Sequence, residues 1–161
     1  MQVLILMGSD SDWEVMQKTV ESLEVLGVSC EAHVSSAHRT PDRTVDLVRK
    51  AEAAGAKVIV CGAGMAAHLA GVVAASTTLP VIAVPLASGP LAGFDALLSS
   101  VQMPPGVPVA TVAVGGAYNA GVLAAQILAT SDEALAGRLA DLKTRMREQV
   151  LAKDEALKRA R

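Results

Sequence analysis

The chain has 161 residues, a formal charge of -2, 52% hydrophobic and 19% charged side chains, and three aromatic residues, Trp13, Phe94 and Tyr118. That length suits one domain over 1–161 with a full core built from Ala, Val, Leu and Gly, and the slight acidity argues against a nucleic-acid surface. Cys30 and Cys61 have no partners at metal-ligand spacing, so no metal site is expected. Residues 2–7 (VLIL) already read as a strand, so no leader is expected and the cytoplasm is the expected compartment.

A helical stripe of Trp13, Met16, Val20, Leu23 and Leu26 follows over about 12–26. A strand is expected at 28–34. The next helix has a strong start signal, with Thr40 as N-cap, Pro41 at the first helical position and Asp42 in the first turn. It ends near Gly55. Strands then fall at 57–61 (KVIVC), 81–84 (VIAV) and 108–114 (PVATVAV), with helical segments at about 65–76, 91–101 and 117–130. The strands are short, β-branched and almost continuously apolar, as in a parallel sheet covered on both faces. This β/α alternation predicts a doubly wound α/β sheet whose right-handed crossovers place the loops after the strands on one edge.

Charge is distributed unevenly along the chain. From 58 to 131 the only charged side chain is Asp95, and no Lys or Arg occurs between Lys57 and Arg138. A membrane span is disfavoured by the Gly, His, Thr and Pro residues that interrupt this stretch and by its division into strand, loop, helix and strand. Burial by the sheet and by other subunits explains it better, and the polar-poor helices at 65–76 and 117–130 read as ordinary core helices or, the favoured reading with so few charges nearby, as subunit contacts. Residues 132–161 differ, with a Leu135, Leu139, Leu142, Met146 stripe among many charges. They form a C-terminal helical extension to an α/β core over 1–131.

Three polar loops leave strand ends and should meet in one pocket: "GSDSD" (8–12), "SSAHRTP" (35–41) and "GAGMAAHL" (62–69). In the first, Ser9 and Ser11 offer hydroxyls and amides suited to phosphate. Asp12 would repel an anion and is better placed as an acceptor or a helix cap, while Asp10 has no role and faces solvent. In the second, Arg39 supplies a forked cation for phosphate beside Ser36 and a helix start. His38 is a proton carrier at neutral pH. In the third, Gly62 and Gly64 let backbone approach a ligand closely, and His68 follows in the first turn of an apolar helix, where a lone histidine reads by type as a core residue. His33 reads as an ordinary strand residue, and Cys61 as a small buried hydrophobe. A Walker lysine, a ribose-binding acid after GxGxxG and the acids and lysine of a phospho-receiver are all missing.

Taken together, "MGSDSDWEVM", "SSAHRTPDR", "GAGMAAHLAGVVAA" and "VQMPPGVPVATVAV…NAGVLAAQILA" resemble the 5-(carboxyamino)imidazole ribonucleotide mutases of purine biosynthesis, over residues 2 to about 140. The resemblance implies a flavodoxin-like three-layer α/β/α fold and a homo-octamer with sites formed between subunits. It also implies a carboxylate shift from the exocyclic nitrogen to ring carbon 4 without ATP, metal or organic cofactor. Ser9, Ser11, Asp12, Ser36 and Arg39 then match ribonucleotide-binding positions, and His38 the general acid/base. Gly64, Ala66 and His68, the last taken as catalytic with His38, match the loop around the imidazole and its carboxylate. Met65 and Ala70 depart from the family pattern, which commonly has glycine and proline there, and "GGAYNAG" is shorter than usual. Two alternatives remain at this stage: an aminoimidazole ribonucleotide carboxylase using free CO2, which "AAHL" disfavours, and a non-catalytic flavodoxin-like binding module.

Overall fold

A run that is apolar on both faces forms a strand only where both faces are covered. In a computed structural model, which describes residues 1–160, Val3–Met7 is such a strand, β1, buried throughout. It lies between β2 (Cys30–Val34) and β3 (Val58–Gly64), beyond which come β4 (Val81–Leu86) and the short β5 (Ala110–Thr111). All pairings are parallel, in the order β2-β1-β3-β4-β5, with Val3 opposite both Cys30 and Val58 and Ile59 opposite Val81. The order reverses between β1 and β3, so the loops leaving these two strands diverge and open a crevice at their carboxyl ends.

Strand alternation divides the core in two. Val3, Ile5, Met7, Val58, Val60, Ile82 and Val84 face one layer, with α1 (Trp13–Val25), α5 (Ala117–Ala129) and the start of α6 (Glu133–Arg159). Leu4, Leu6, Ile59, Cys61, Val81 and Ala83 face the other, with α2 (Pro41–Ala53) and α3 (Leu69–Ala74). The last crossover helix, α4 (Phe94–Val101), lies along β4 and β5. This three-layer arrangement is the expected doubly wound, flavodoxin-like one.

Several local expectations need correction. The strand expected over 108–114 shrinks to two residues. Ala83 and Pro85 accept amides from Val112 and Gly115 at 3.0 and 2.9 Å, but proline has no N–H to return, so the ladder stops. The glycines of 62–64 do not form a loop: β3 runs through them, paired with Val84–Leu86. The helix expected from 65 therefore starts only at Leu69 and ends at Ala74.

Trp13 is not part of the core stripe and is exposed; Thr19 and Ser22 are buried in its place. The reason is the close approach of α5. Thr19 Oγ1 donates to the Ala117 carbonyl at 2.8 Å, and a Cβ at Gly121 would lie 1.9 Å from Ser22 Oγ. Helix α5, expected at a subunit contact, is thus largely covered by α1 and α6 of its own chain. Thr40 takes the N-cap position, but its hydroxyl turns back to the Ser36 amide and carbonyl, both at 3.1 Å, and makes no cap.

Candidate active site

Four loops meet at the carboxyl edge of the sheet, and each is shaped by its sequence. After β1, Gly8 leads into a 3-10 turn over Asp10–Asp12. Ser9 caps this turn reciprocally, with the Ser9 amide donating to Asp12 Oδ2 at 2.9 Å and Ser9 Oγ accepting from the Ser11 amide. Asp12 is buried, and burial raises its carboxyl above the ordinary 3.8, against the lowering effect of the Ser9 and Gly8 amides. Asp10 is exposed and accepts from Ser9 Oγ at 3.1 Å. Ser11 Oγ donates to Ser9 Oγ at 3.0 Å, so the two hydroxyls point to one place.

After β2, Ser36 Oγ accepts from the Arg39 amide at 3.2 Å and from Arg39 Nε at 3.4 Å. The guanidinium reaches across to the Gly8 carbonyl at 3.5 Å, which sets the cation beside the Ser9/Ser11 turn. It offsets the acidic character that the two aspartates give that turn.

After β3, the chain turns through Met65, whose φ of 54° lies in the left-handed region. The Ala67 amide donates to Ser99 Oγ at 3.1 Å, fastening this loop to α4. His68 occupies the N-cap position of α3. Its Nδ1 is 2.7 Å from His38 Nε2, with the rings edge to face and their centroids 4.8 Å apart. One hydrogen bridges these nitrogens, so one ring donates and the other accepts. A proton taken up at the outer nitrogen of one ring can therefore leave from the outer nitrogen of the other.

Ser9, Ser11, Asp12, Ser36, His38 and Arg39 all line a single cavity of about 500 Å³, together with Gly64, Ala66 and His68. A second hollow of about 490 Å³ adjoins it over Ser9, Ser36, Arg39 and Arg43. Sequence reasoning missed Ser88, in the fourth loop, which also lines the main cavity. Its hydroxyl takes the space a Cβ on Gly64 would fill, at 2.3 Å from that position, so Gly64 is needed for this approach. The signal available was placement alone, because the loop after β4 leaves the sheet at the same edge. His33 lies in β2 with Nε2 2.8 Å from Glu31. Cys61 is buried in β3, where burial pushes its thiol up and leaves it protonated. Among the described residues no group of three His, Cys, Asp or Glu side chains could hold a metal ion.

A parallel 2-1-3-4-5 sheet with serines, an arginine and a histidine pair at its switch point defines a flavodoxin-like α/β protein with a small-molecule cavity at the sheet edge. The family model described as AIR carboxylase matches residues 2–149. The chain is 55% identical over 150 residues to N5-carboxyaminoimidazole ribonucleotide mutase of Brucella melitensis, which covers 92% of this chain and 93% of that protein. It is 51% identical over 160 residues to the mutase of the same name from Mycobacterium leprae, covering 99% and 94%. The crystal structure of Treponema denticola PurE matches with a TM-score of 0.89 at 31% identity, over 98% of each chain. The chain belongs to the AIR carboxylase family.

Proposed function

We propose that this protein is an isomerase of purine biosynthesis, converting N5-carboxyaminoimidazole ribonucleotide to 4-carboxy-5-aminoimidazole ribonucleotide. The observation that carries the reading is the 2.7 Å contact between His38 and His68 in a cavity that also holds Arg39. The mutase relatives described above support the same reaction. Arg39, Ser9, Ser11 and Ser36 hold the phosphate, and Asp12 accepts from the ribose hydroxyls. Gly64 and Ala66 border the imidazole without filling its space.

The reaction runs in two halves. In the first, the bond between the exocyclic nitrogen and its carboxylate breaks. The electron pair stays on nitrogen, which takes a proton from His38, and CO2 is released into the cavity. In the second, ring carbon 4 attacks the CO2, and its proton returns to His38. Atoms and electrons balance without any co-reactant, and one group must act as acid and then base. Histidine suits this because its ordinary pKa, about 6.5, is near working pH. His68 orients the imidazole of His38 and receives or supplies the bridging hydrogen as the charge on that ring changes.

The working unit is a homo-oligomer, an octamer in this proposal. Exposed Leu91, Phe94, Leu98 and Val101, clustered in the segment poor in charge, support that assignment. No helix among the described residues is long and apolar enough to cross a membrane, and the cytoplasm is the proposed compartment.

The test supplies N5-carboxyaminoimidazole ribonucleotide without ATP or bicarbonate and follows the 4-carboxy isomer by ultraviolet absorbance. Failure of the folded wild type to convert it would sink the mutase reading. Product formed only from aminoimidazole ribonucleotide and CO2 would assign the carboxylase reaction instead. His38→Asn should still bind the nucleotide, measured calorimetrically, and lose turnover by two or more orders of magnitude, roughly the contribution of a positioned acid/base.

A further inference from the structure

A hydrogen bond from a helix to a loop matters most where the loop has little else to hold it. The chain from Met65 to His68 is such a stretch. Its internal bonds run from the Ala67 amide to the Met65 carbonyl at 2.9 Å and from the His68 amide to the Ala66 carbonyl at 2.7 Å. Each spans only two residues, the tight geometry of a γ-turn, and such bent bonds are weak. Met65 adds a left-handed φ of 54°. The helix that follows, α3, has six residues, too short to be stable by itself. Yet His68 Nδ1 must stay 2.7 Å from His38 Nε2.

Ser99, on α4, supplies the missing hold. Its hydroxyl donates to the Asp95 carbonyl of its own helix at 2.9 Å, with the Ala96 carbonyl at 3.2 Å. That uses its one hydrogen and leaves the oxygen free to accept. The amide of buried Ala67 donates to this oxygen at 3.1 Å. A buried amide needs such an acceptor. The neighbouring Ser100 is buried, and its carbonyl accepts from Thr111 Oγ1 of β5 at 3.2 Å. This part of α4 is thus tied to the sheet, and the tie continues through Ser99 to Ala67, next to His68. Ser99 itself lies outside the residues that line the cavity.

We infer that Ser99 is a positioning residue, which holds the 65–68 loop through the Ala67 amide so that the His68 ring meets that of His38. Its effect on turnover rests on the mutase reading, whereas its effect on the histidine contact does not. Because Ser99 acts from outside the cavity, its loss should disturb the proton path and spare substrate affinity.

The experiment compares wild type, Ser99→Ala and Ser99→Thr on the N5-carboxy substrate. Alanine is the best helix former, so α4 survives the substitution. Ser99→Ala should keep its KM and lose kcat roughly tenfold, less than a full ångström of misplacement can cost. Ser99→Thr retains a hydroxyl that bonds the same helix carbonyls, and should recover most of kcat. In a His68→Asn background Ser99→Ala should cost nothing further, because its route to the reaction is gone. In protein labelled with nitrogen-15 at histidine, NMR should show the hydrogen shared by His38 and His68 in wild type and lose it in Ser99→Ala. Full kcat in Ser99→Ala with that signal intact would overturn the inference and leave the mutase reading standing. An equal fractional loss with and without His68 would also overturn it, making Ser99 a general support of the fold. If wild type converts nothing while the shared-hydrogen signal still depends on Ser99, the mutase reading fails and the positioning role stands.

Discussion

Asp12 carries two demands in one carboxylate. It must accept the Ser9 amide to close the turn after β1, and it must hold a carboxyl group largely out of water. Its folded-state pKa lies above the ordinary 3.8, so the native state binds this proton more tightly than the unfolded chain does. The contribution of Asp12 to stability therefore falls as pH rises from the ordinary value through the raised one. Asp12→Asn keeps an amide oxygen for Ser9 and removes the charge. Its melting temperature relative to wild type should rise with pH from the ordinary 3.8 upward and level off once the raised pKa is passed. A pH-independent difference would show that the carboxylate is not penalised. At this scale the sequence was informative wherever chemistry follows from residue type. The serine turn, Arg39 and His38 stood out because hydroxyls, a cation and an imidazole after strands have few other uses. His68 was readable from the family resemblance; by residue type alone it looked like a core histidine on an apolar helix. Ser88 was silent, because a serine in a Gly/Pro loop carries no signal until its hydroxyl is found against Gly64.

Between elements, the closest fit in the molecule is α1 against α5. Gly121 has no room for a side chain, since a Cβ there would lie 1.9 Å from Ser22 Oγ and 2.7 Å from the Thr19 carbonyl. Gly121→Ala should cost about 1–3 kcal/mol, the usual range for overpacking. Denaturant unfolding would measure it, and Ser22→Gly in the same chain should recover part of the loss. The same contact explains why the helix stripe in the sequence was misleading. Hydrophobic periodicity marks where large apolar side chains fall, and it overlooks faces that bury Thr and Ser so that backbones can approach. β1, β4, α2 and α5 were legible because their composition matched their environment. β5 and α3 were not. A proline in the neighbouring strand ended β5, and a left-handed residue delayed α3, and neither effect leaves a periodic trace.

For the molecule as a whole, α6 is the element that does not fit a lone chain. Leu135, Leu139 and Leu142 are buried against the core, and Arg138 Nε donates to the Leu26 carbonyl at 2.7 Å, satisfying the end of α1. From residue 143 to residue 160 every position is exposed, including Met146, Val150 and Leu157. A helix of this length without packing is marginal in water, so these side chains suit a second copy as their cover. Replacing Met146, Val150 and Leu157 together by Gln should lower the mass seen by light scattering and leave the melting of the α/β core almost unchanged. An unchanged mass would take α6 out of the proposed assembly. The charge-poor stretch holds the buried strands β3 and β4, yet also the exposed Leu91, Phe94, Leu98 and Val101. Lack of charge cannot separate surface covered within a chain from surface a second copy would cover, because both exclude water equally.

The strand order also has a consequence in time. β1 leaves the ribosome before the four other strands of this sheet, yet its inner partner β3 is encoded far downstream, with Val3 opposite Val58. At about 5–20 residues per second, synthesis leaves VLILM waiting seconds for that partner. During this interval both apolar faces and one ladder edge are open, so the strand most central to the finished cavity is also the one the nascent chain must guard longest from its neighbours.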